Sequence, residues 1–206
     1  MVVVPSLKVV DLRYARENML DADVLLFRDV PFWRGGKFYS PMLKVAGRSS
    51  YTHGAMSARD GARIDVLQTT GFGPRRVELS RLVRRYPGQI DVYRVIPEIP
   101  FAEYGRKKVV LAMEEIVQHP YGWIALARTA MLHLAGVRWL ADVNEDDDAP
   151  LKYPPYCSTS ICRSYRLGYG LDLVPNLADQ YTEPGDLGRS GLLQYQFTLG
   201  YQKLKI

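Results

Sequence analysis

Two short stretches carry the residue types from which nucleophilic chemistry can be built: Tyr51-Thr52-His53 and Pro154-Pro155-Tyr156-Cys157-Ser158. Cys157 follows two prolines that cannot sit inside a helix, and it opens a segment of helical pattern. A thiol there meets free backbone N–H groups and the positive end of the helix dipole, so a lowered thiol pKa and a reactive thiolate are expected. His53 opens a buried-strand pattern and can accept the thiol proton if the fold brings that strand to the helix. The chemistry implied is that of a cysteine-histidine hydrolase or transferase. Cys162 lies five residues further along the same helix and points elsewhere, so no bridge between the two thiols is expected. It reads as core.

Other chemistries find less support. Two cysteines and three histidines show none of the paired spacings of a zinc site. The acidic run Glu145–Asp148 lacks the alternating ligands and the glycine of a calcium loop and reads as solvated. Gly71-Phe72-Gly73 runs into Pro74 and a strand rather than a helix, so it is a turn and not a phosphate cradle. No metal and no cofactor is expected. His119, before Pro120 at a helix end, and His133, inside a helix, read as structural.

With 206 residues, 47% hydrophobic and 24% charged, the chain can bury a real core and reads as one domain, 1–206. A net charge of +5 and a pI near 9.2 suit attraction to anionic polymers such as cell-wall material, phospholipid or nucleic acid. The cluster Arg75, Arg76, Arg81, Arg84 and Arg85 comes with no recognition motif, so it reads as a solvated face and no specific nucleic acid is expected. The apolar stretch from Trp123 to Leu140 carries Arg128, His133 and Arg138, which suits a core helix and not a membrane span. Met1–Val4 ends at Pro5 with Lys8, Asp11 and Arg13 close behind, unlike a secretory leader. The expectation is a protein that is not transmembrane, cytoplasmic or carried in an assembly such as a virion.

The elements that must position these residues run as strands, then helices, then a last strand. Ala22–Phe27 is a short buried strand, Pro31–Gly36 a loop and Ser40–Val45 a short helix. His53–Ala58 and Ile64–Thr69 flank Asp60-Gly61, a strong hairpin signal. Arg76–Leu79 is a strand, Ser80–Tyr86 a basic helix stopped by Pro87-Gly88, and Ile90–Val95 another strand. Val109, Ala112, Met113, Ile116 and Val117 form one apolar stripe on a helix over Tyr104–Gln118. A second helix spans Tyr121–Leu134, and Ala141–Tyr156 is a loop. Ser158–Leu167 is a helix capped by Gly168, and Leu192–Tyr201 is a closing strand. The class expected is α+β.

These residues, in this order, resemble the circularly permuted branch of the NlpC-type papain-fold superfamily, the YiiX/YebB-like group, distantly akin to the lecithin retinol acyltransferases. Asp23-Val-Leu-Leu-Phe27 resembles the opening strand, with Ala22 where glycine is usual. Ser50-Tyr-Thr-His53-Gly-Ala resembles the histidine strand, with Gly54 and Ala55 in the reverse of one common order. Val66-Leu-Gln68-Thr matches the strand that usually carries a glutamate, Tyr156-Cys157-Ser158 the nucleophile helix with Thr159 in place of glutamate, and Thr182-Glu-Pro184-Gly-Asp186-Leu187 the closing segment. Histidine before cysteine is the order of the permuted branch.

The resemblance implies an antiparallel sheet packed on a nucleophile helix, with Cys157 as nucleophile, His53 as proton acceptor and a third polar residue orienting the imidazole. By position that residue is Gln68, whose side-chain carbonyl can hold the ring without supplying charge. Asp65 is the alternative, on the opposite strand face by alternation. Tyr51 and Tyr156 are candidate walls of the substrate pocket. The implied substrates are cell-wall (peptidoglycan) peptide amides or acyl-lipid esters and amides. The other reading is a non-catalytic module that keeps the fold within a larger assembly such as a phage particle.

Overall fold

The computed structural model describes residues 9–28, 49–71, 73–134, 154–175 and 177–200. The expected loop at Pro31–Gly36, the helix at Ser40–Val45 and the acidic run Glu145–Asp148 lie outside them. In chain order the described elements are β1 (Val9–Val10), α1 (Leu12–Asn18), β2 (Val24–Arg28), β3 (Tyr51–Asp60), β4 (Arg63–Thr70), β5 (Gly73–Glu78) and α2 (Leu79–Arg85). Then come β6 (Gln89–Val95), α3 (Glu103–Ile116), α4 (Trp123–Leu134), α5 (Cys157–Tyr169), α6 (Pro184–Arg189) and β7 (Leu193–Gly200). The strands form one seven-stranded sheet in the order β1-β7-β6-β2-β3-β4-β5. Every pairing is antiparallel except that of β1 with β7.

β2 has apolar side chains on both faces, so the sheet needs cover on both sides. Val24 and Leu26 pack with Met56, Leu67, Val109, Met113, Ile161 and Tyr165, which puts α3 and α5 on that face. Leu25 and Phe27 pack with Ala15, Ala55, Val66, Leu79 and Val83, which puts α1 and α2 on the other. The result is a three-layer α+β arrangement with two cores. At the start of β2 the fully buried Asp23 accepts from the Arg94 guanidinium at 2.8 and 2.7 Å and from the Leu20 N–H at 2.9 Å. Ala22 turns the chain with φ at +58°.

The hairpin signal is realised: β3 and β4 pair from Met56↔Leu67 to Asp60↔Arg63, and Gly61 takes φ +56° at the turn. The basic helix and the long amphipathic helix also stand within a residue or two of their expected places. Two expectations are corrected. The helix of Cys157 does not stop at Gly168; it ends at Gly170, whose left-handed φ of +69° closes it. Gly168 instead lies against the backbone of α3, where a Cβ would stand 2.6 Å from the Val109 Cα. Two helices were not anticipated: α1, N-capped by the Asp11 carboxylate accepting from the Tyr14 N–H at 2.8 Å, and α6, which starts on Pro184.

Candidate functional site

Cys157 is the first residue of α5, and Tyr156 at the N-cap offers no side-chain acceptor to the helix. The backbone N–H groups of Gly54, Ser158 and Cys157 itself favour its thiolate, yet burial outweighs them and pushes the thiol above its ordinary value. The lowered pKa expected from the helix-start position is therefore corrected: α4, through Ala125 with Leu126 beside it, closes over the sulfur and removes the solvent that would stabilise the charge. Cys162 is fully buried in the main core, and burial pushes its thiol up well beyond the ordinary range. Both cysteines are free thiols.

His53 and Gln68 are brought together: the imidazole Nε2 and the Gln68 Oε1 lie 2.9 Å apart across β3 and β4. Asp65 is engaged elsewhere. It accepts from Arg63 at 2.8 Å and Arg76 at 2.7 Å, and although burial pushes its carboxyl up, those two arginines hold it below the usual value. Strand alternation decides which way His53 points. Gly54 faces α5, where a Cβ would stand 2.9 Å from the Ile161 Cδ1, so His53 turns to the other face. There its ring lies 5.0 Å from that of Phe27, a member of the α1/α2-side core. A bulge sits next to it: Phe27 pairs with His53 and Arg28 with Tyr51, leaving Thr52 without an opposite residue.

The residues that share a cavity with Cys157 are Tyr51, Thr52, Tyr121, Leu126, Glu183 and Pro184. Its volume is about 20 Å³. Tyr51 is a wall of it, steadied by its hydroxyl donating to Asp91 at 2.6 Å and lying 2.8 Å from the Tyr93 hydroxyl. Asp91 also accepts from Thr198 at 2.6 Å and pairs with Arg28 at 2.6 Å. Tyr156 is a packing residue and not a wall. It is fully buried, and its hydroxyl donates to the carbonyls of Gln180 and Thr182, both at 3.1 Å. Ser158 donates to the same Thr182 carbonyl at 2.5 Å, so the 180–183 segment is clamped to the start of α5.

Reasoning from the sequence missed Thr52, Tyr121 and Glu183. Thr52 lies one residue from His53 and so, by strand alternation, on the thiol's side of the strand. Glu183 was in view within Thr182-Glu-Pro184-Gly-Asp186-Leu187, but nothing local ties that segment to a helix start about 25 residues earlier. The arginine cluster lies exposed on β5 and α2, with Arg76 bound to Asp65 and Glu114.

The architecture defines a class: a mostly antiparallel sheet between two helical layers, with a cysteine at the start of the helix that packs on its central strands. No family model matches the sequence, and no curated protein matches it. Among solved structures, the crystal structure of the metalloprotein YiiX from Escherichia coli O157:H7 matches with a TM-score of 0.57 at 15% identity. The match covers 86% of this chain and 96% of that one, and it shows a YiiX-like fold. No helix among the described residues is long and apolar enough to cross a membrane.

Proposed function

We propose that the protein is a thiol-dependent amidase or hydrolase on a circularly permuted papain-like fold, acting on cell-wall peptide amides or related acyl substrates with Cys157 as nucleophile. The observation that carries this reading is the Cys157 thiol at the start of α5, with the Gly54 and Ser158 N–H groups directed at it and a cavity beside it. Those N–H groups are the donors for the oxyanion of a tetrahedral intermediate. His53, oriented by Gln68, is the proposed acceptor of the thiol proton. In that role the imidazole has to reach the thiol from where Gln68 holds it, since Tyr51 and Thr52, not His53, are the β3 residues that line the Cys157 cavity here. YiiX is described as a metalloprotein. Among the described residues here, no three His, Cys, Asp or Glu side chains gather as an ion's ligands, so the donor set does not fit a metal and no step is routed through one.

A second reading, a non-catalytic module of a larger assembly, is favoured by the burial of the thiol and by the side of β3 on which His53 stands. Turnover on peptidoglycan fragments and acyl-lipid substrates separates the two. Under the hydrolase reading, Cys157→Ala abolishes turnover and His53→Ala lowers it roughly 10²–10⁴-fold. Gln68→Ala lowers it less, Gln68→Glu preserves or raises it, and the Cys157/His53 double variant is scarcely worse than Cys157→Ala alone. No Cys157-dependent turnover across the panel, with partner binding that survives Cys157→Ala, selects the module.

A further inference from the structure

Glu183 is the acidic side chain that borders the Cys157 cavity, and it is buried at 4% exposure. Its position is fixed by its neighbour: Ser158 and Tyr156, on either side of Cys157, both donate to the Thr182 carbonyl. The cavity that Cys157 and Glu183 both line, about 20 Å³, has room for a single water molecule. A thiol, a carboxylate and space for one water are what the second half of a thiol hydrolase cycle needs.

We infer that Glu183 is the general base that activates the hydrolytic water, and hence that the site is built for hydrolysis rather than for transfer to another acceptor. This inference rests on Cys157 being the nucleophile. After acylation the carbonyl carbon is bonded to the Cys157 sulfur. A water in the cavity gives one proton to the Glu183 carboxylate as its oxygen bonds to that carbon. The carbon–sulfur bond then breaks, the sulfur leaves with its electron pair and takes the proton back from Glu183, and the carboxylic acid departs. Glu183 acts only in this step, so its loss stalls the enzyme as a thioester.

The experiment is pre-steady-state hydrolysis of p-nitrophenyl acetate. Wild-type protein gives a burst of about one p-nitrophenolate per chain followed by steady turnover. Glu183→Gln keeps the burst, loses roughly 10²–10⁴-fold in the steady rate, and accumulates acetyl-Cys157 visible by mass spectrometry. Glu183→Asp keeps the burst and recovers part of the steady rate, and it serves as the test if the glutamine variant does not fold. A steady rate equal to wild type in Glu183→Gln, or loss of the burst in a folded Glu183 variant, overturns the inference and leaves Cys157 as nucleophile. Turnover unchanged in Cys157→Ala, or a burst that survives Cys157→Ala, overturns the nucleophile itself.

Discussion

A thiol on the first turn of a helix feels two opposing effects, and at Cys157 the larger one is loss of water. Backbone N–H groups favour the thiolate, but a side chain with only 3% of its surface exposed cannot recover the hydration energy of a full charge. The thiol therefore rests protonated and becomes a nucleophile only when a base or a substrate changes its surroundings. Iodoacetamide alkylation of Cys157, followed in a Cys162→Ser variant, should be slow near neutral pH and still be rising about tenfold per unit past the ordinary thiol value of about 8.5. Cys162, followed in Cys157→Ser, should be slower at every pH, because its burial is complete and pushes its thiol up further. A Cys157 rate already at its plateau near pH 7 would show that the helix terminus, not burial, sets its acidity.

At the scale of elements, the contact between α3 and α5 positions the whole site, because α5 carries Cys157 at one end and Gly168 near the other. Helix propensity alone predicts that Gly168→Ala stabilises by about 1 kcal/mol. Packing reverses the sign. The new methyl group would lie within 2.6–2.8 Å of Val109 and Lys108 backbone atoms, which cannot step aside as a side chain can. Overpacking of this kind costs about 1–3 kcal/mol, so the variant should have a lower urea midpoint than wild type. A higher midpoint would mean that the two helices separate easily, and the start of α5 would then not be held rigidly against β3. The same element explains a limit of reading the chain. A glycine near the end of an apolar helical pattern looks like a cap, and only the neighbouring helix reveals that this one is a crossing point while Gly170 is the cap.

For the molecule as a whole, burial leaves a group of acids that resist ionisation in the folded state. Desolvation is the leading cause that pushes up Cys157, Cys162, Tyr51, Tyr93 and Tyr165. Each has a folded pKa above its unfolded one, so the unfolded chain loses the proton first as pH rises. The stability they contribute is present in full below the unfolded values, about 8.5 for thiols and 10 for phenols, and is lost as pH climbs from there toward the folded values. The urea midpoint should hold steady from pH 7 to about 8 and fall progressively at pH 9, 10 and 11, with an unchanged slope. A midpoint that stays level up to pH 11 would mean that these groups ionise as readily folded as unfolded.

The sequence by itself determined what depends on neighbours along the chain. Alternation and the Asp60-Gly61 signal place the β3–β4 hairpin, the apolar stripe from Val109 to Val117 places α3, and two prolines before Cys157 place a thiol at a helix start. Those properties arise from backbone preferences and side-chain period, both local. The pairing of His53 with Gln68 was expected from the family resemblance, in which Gln68 stands at the position of the residue that orients the imidazole. Tertiary structure decided the rest. Which face of β3 meets α5 sets that Thr52, and not His53, borders the thiol's cavity. The cover of α4 sets the acidity of Cys157, and the clamp on Thr182 brings Glu183 to the cavity. These outcomes depend on which surfaces meet and how much water they exclude, and no window of sequence contains both surfaces.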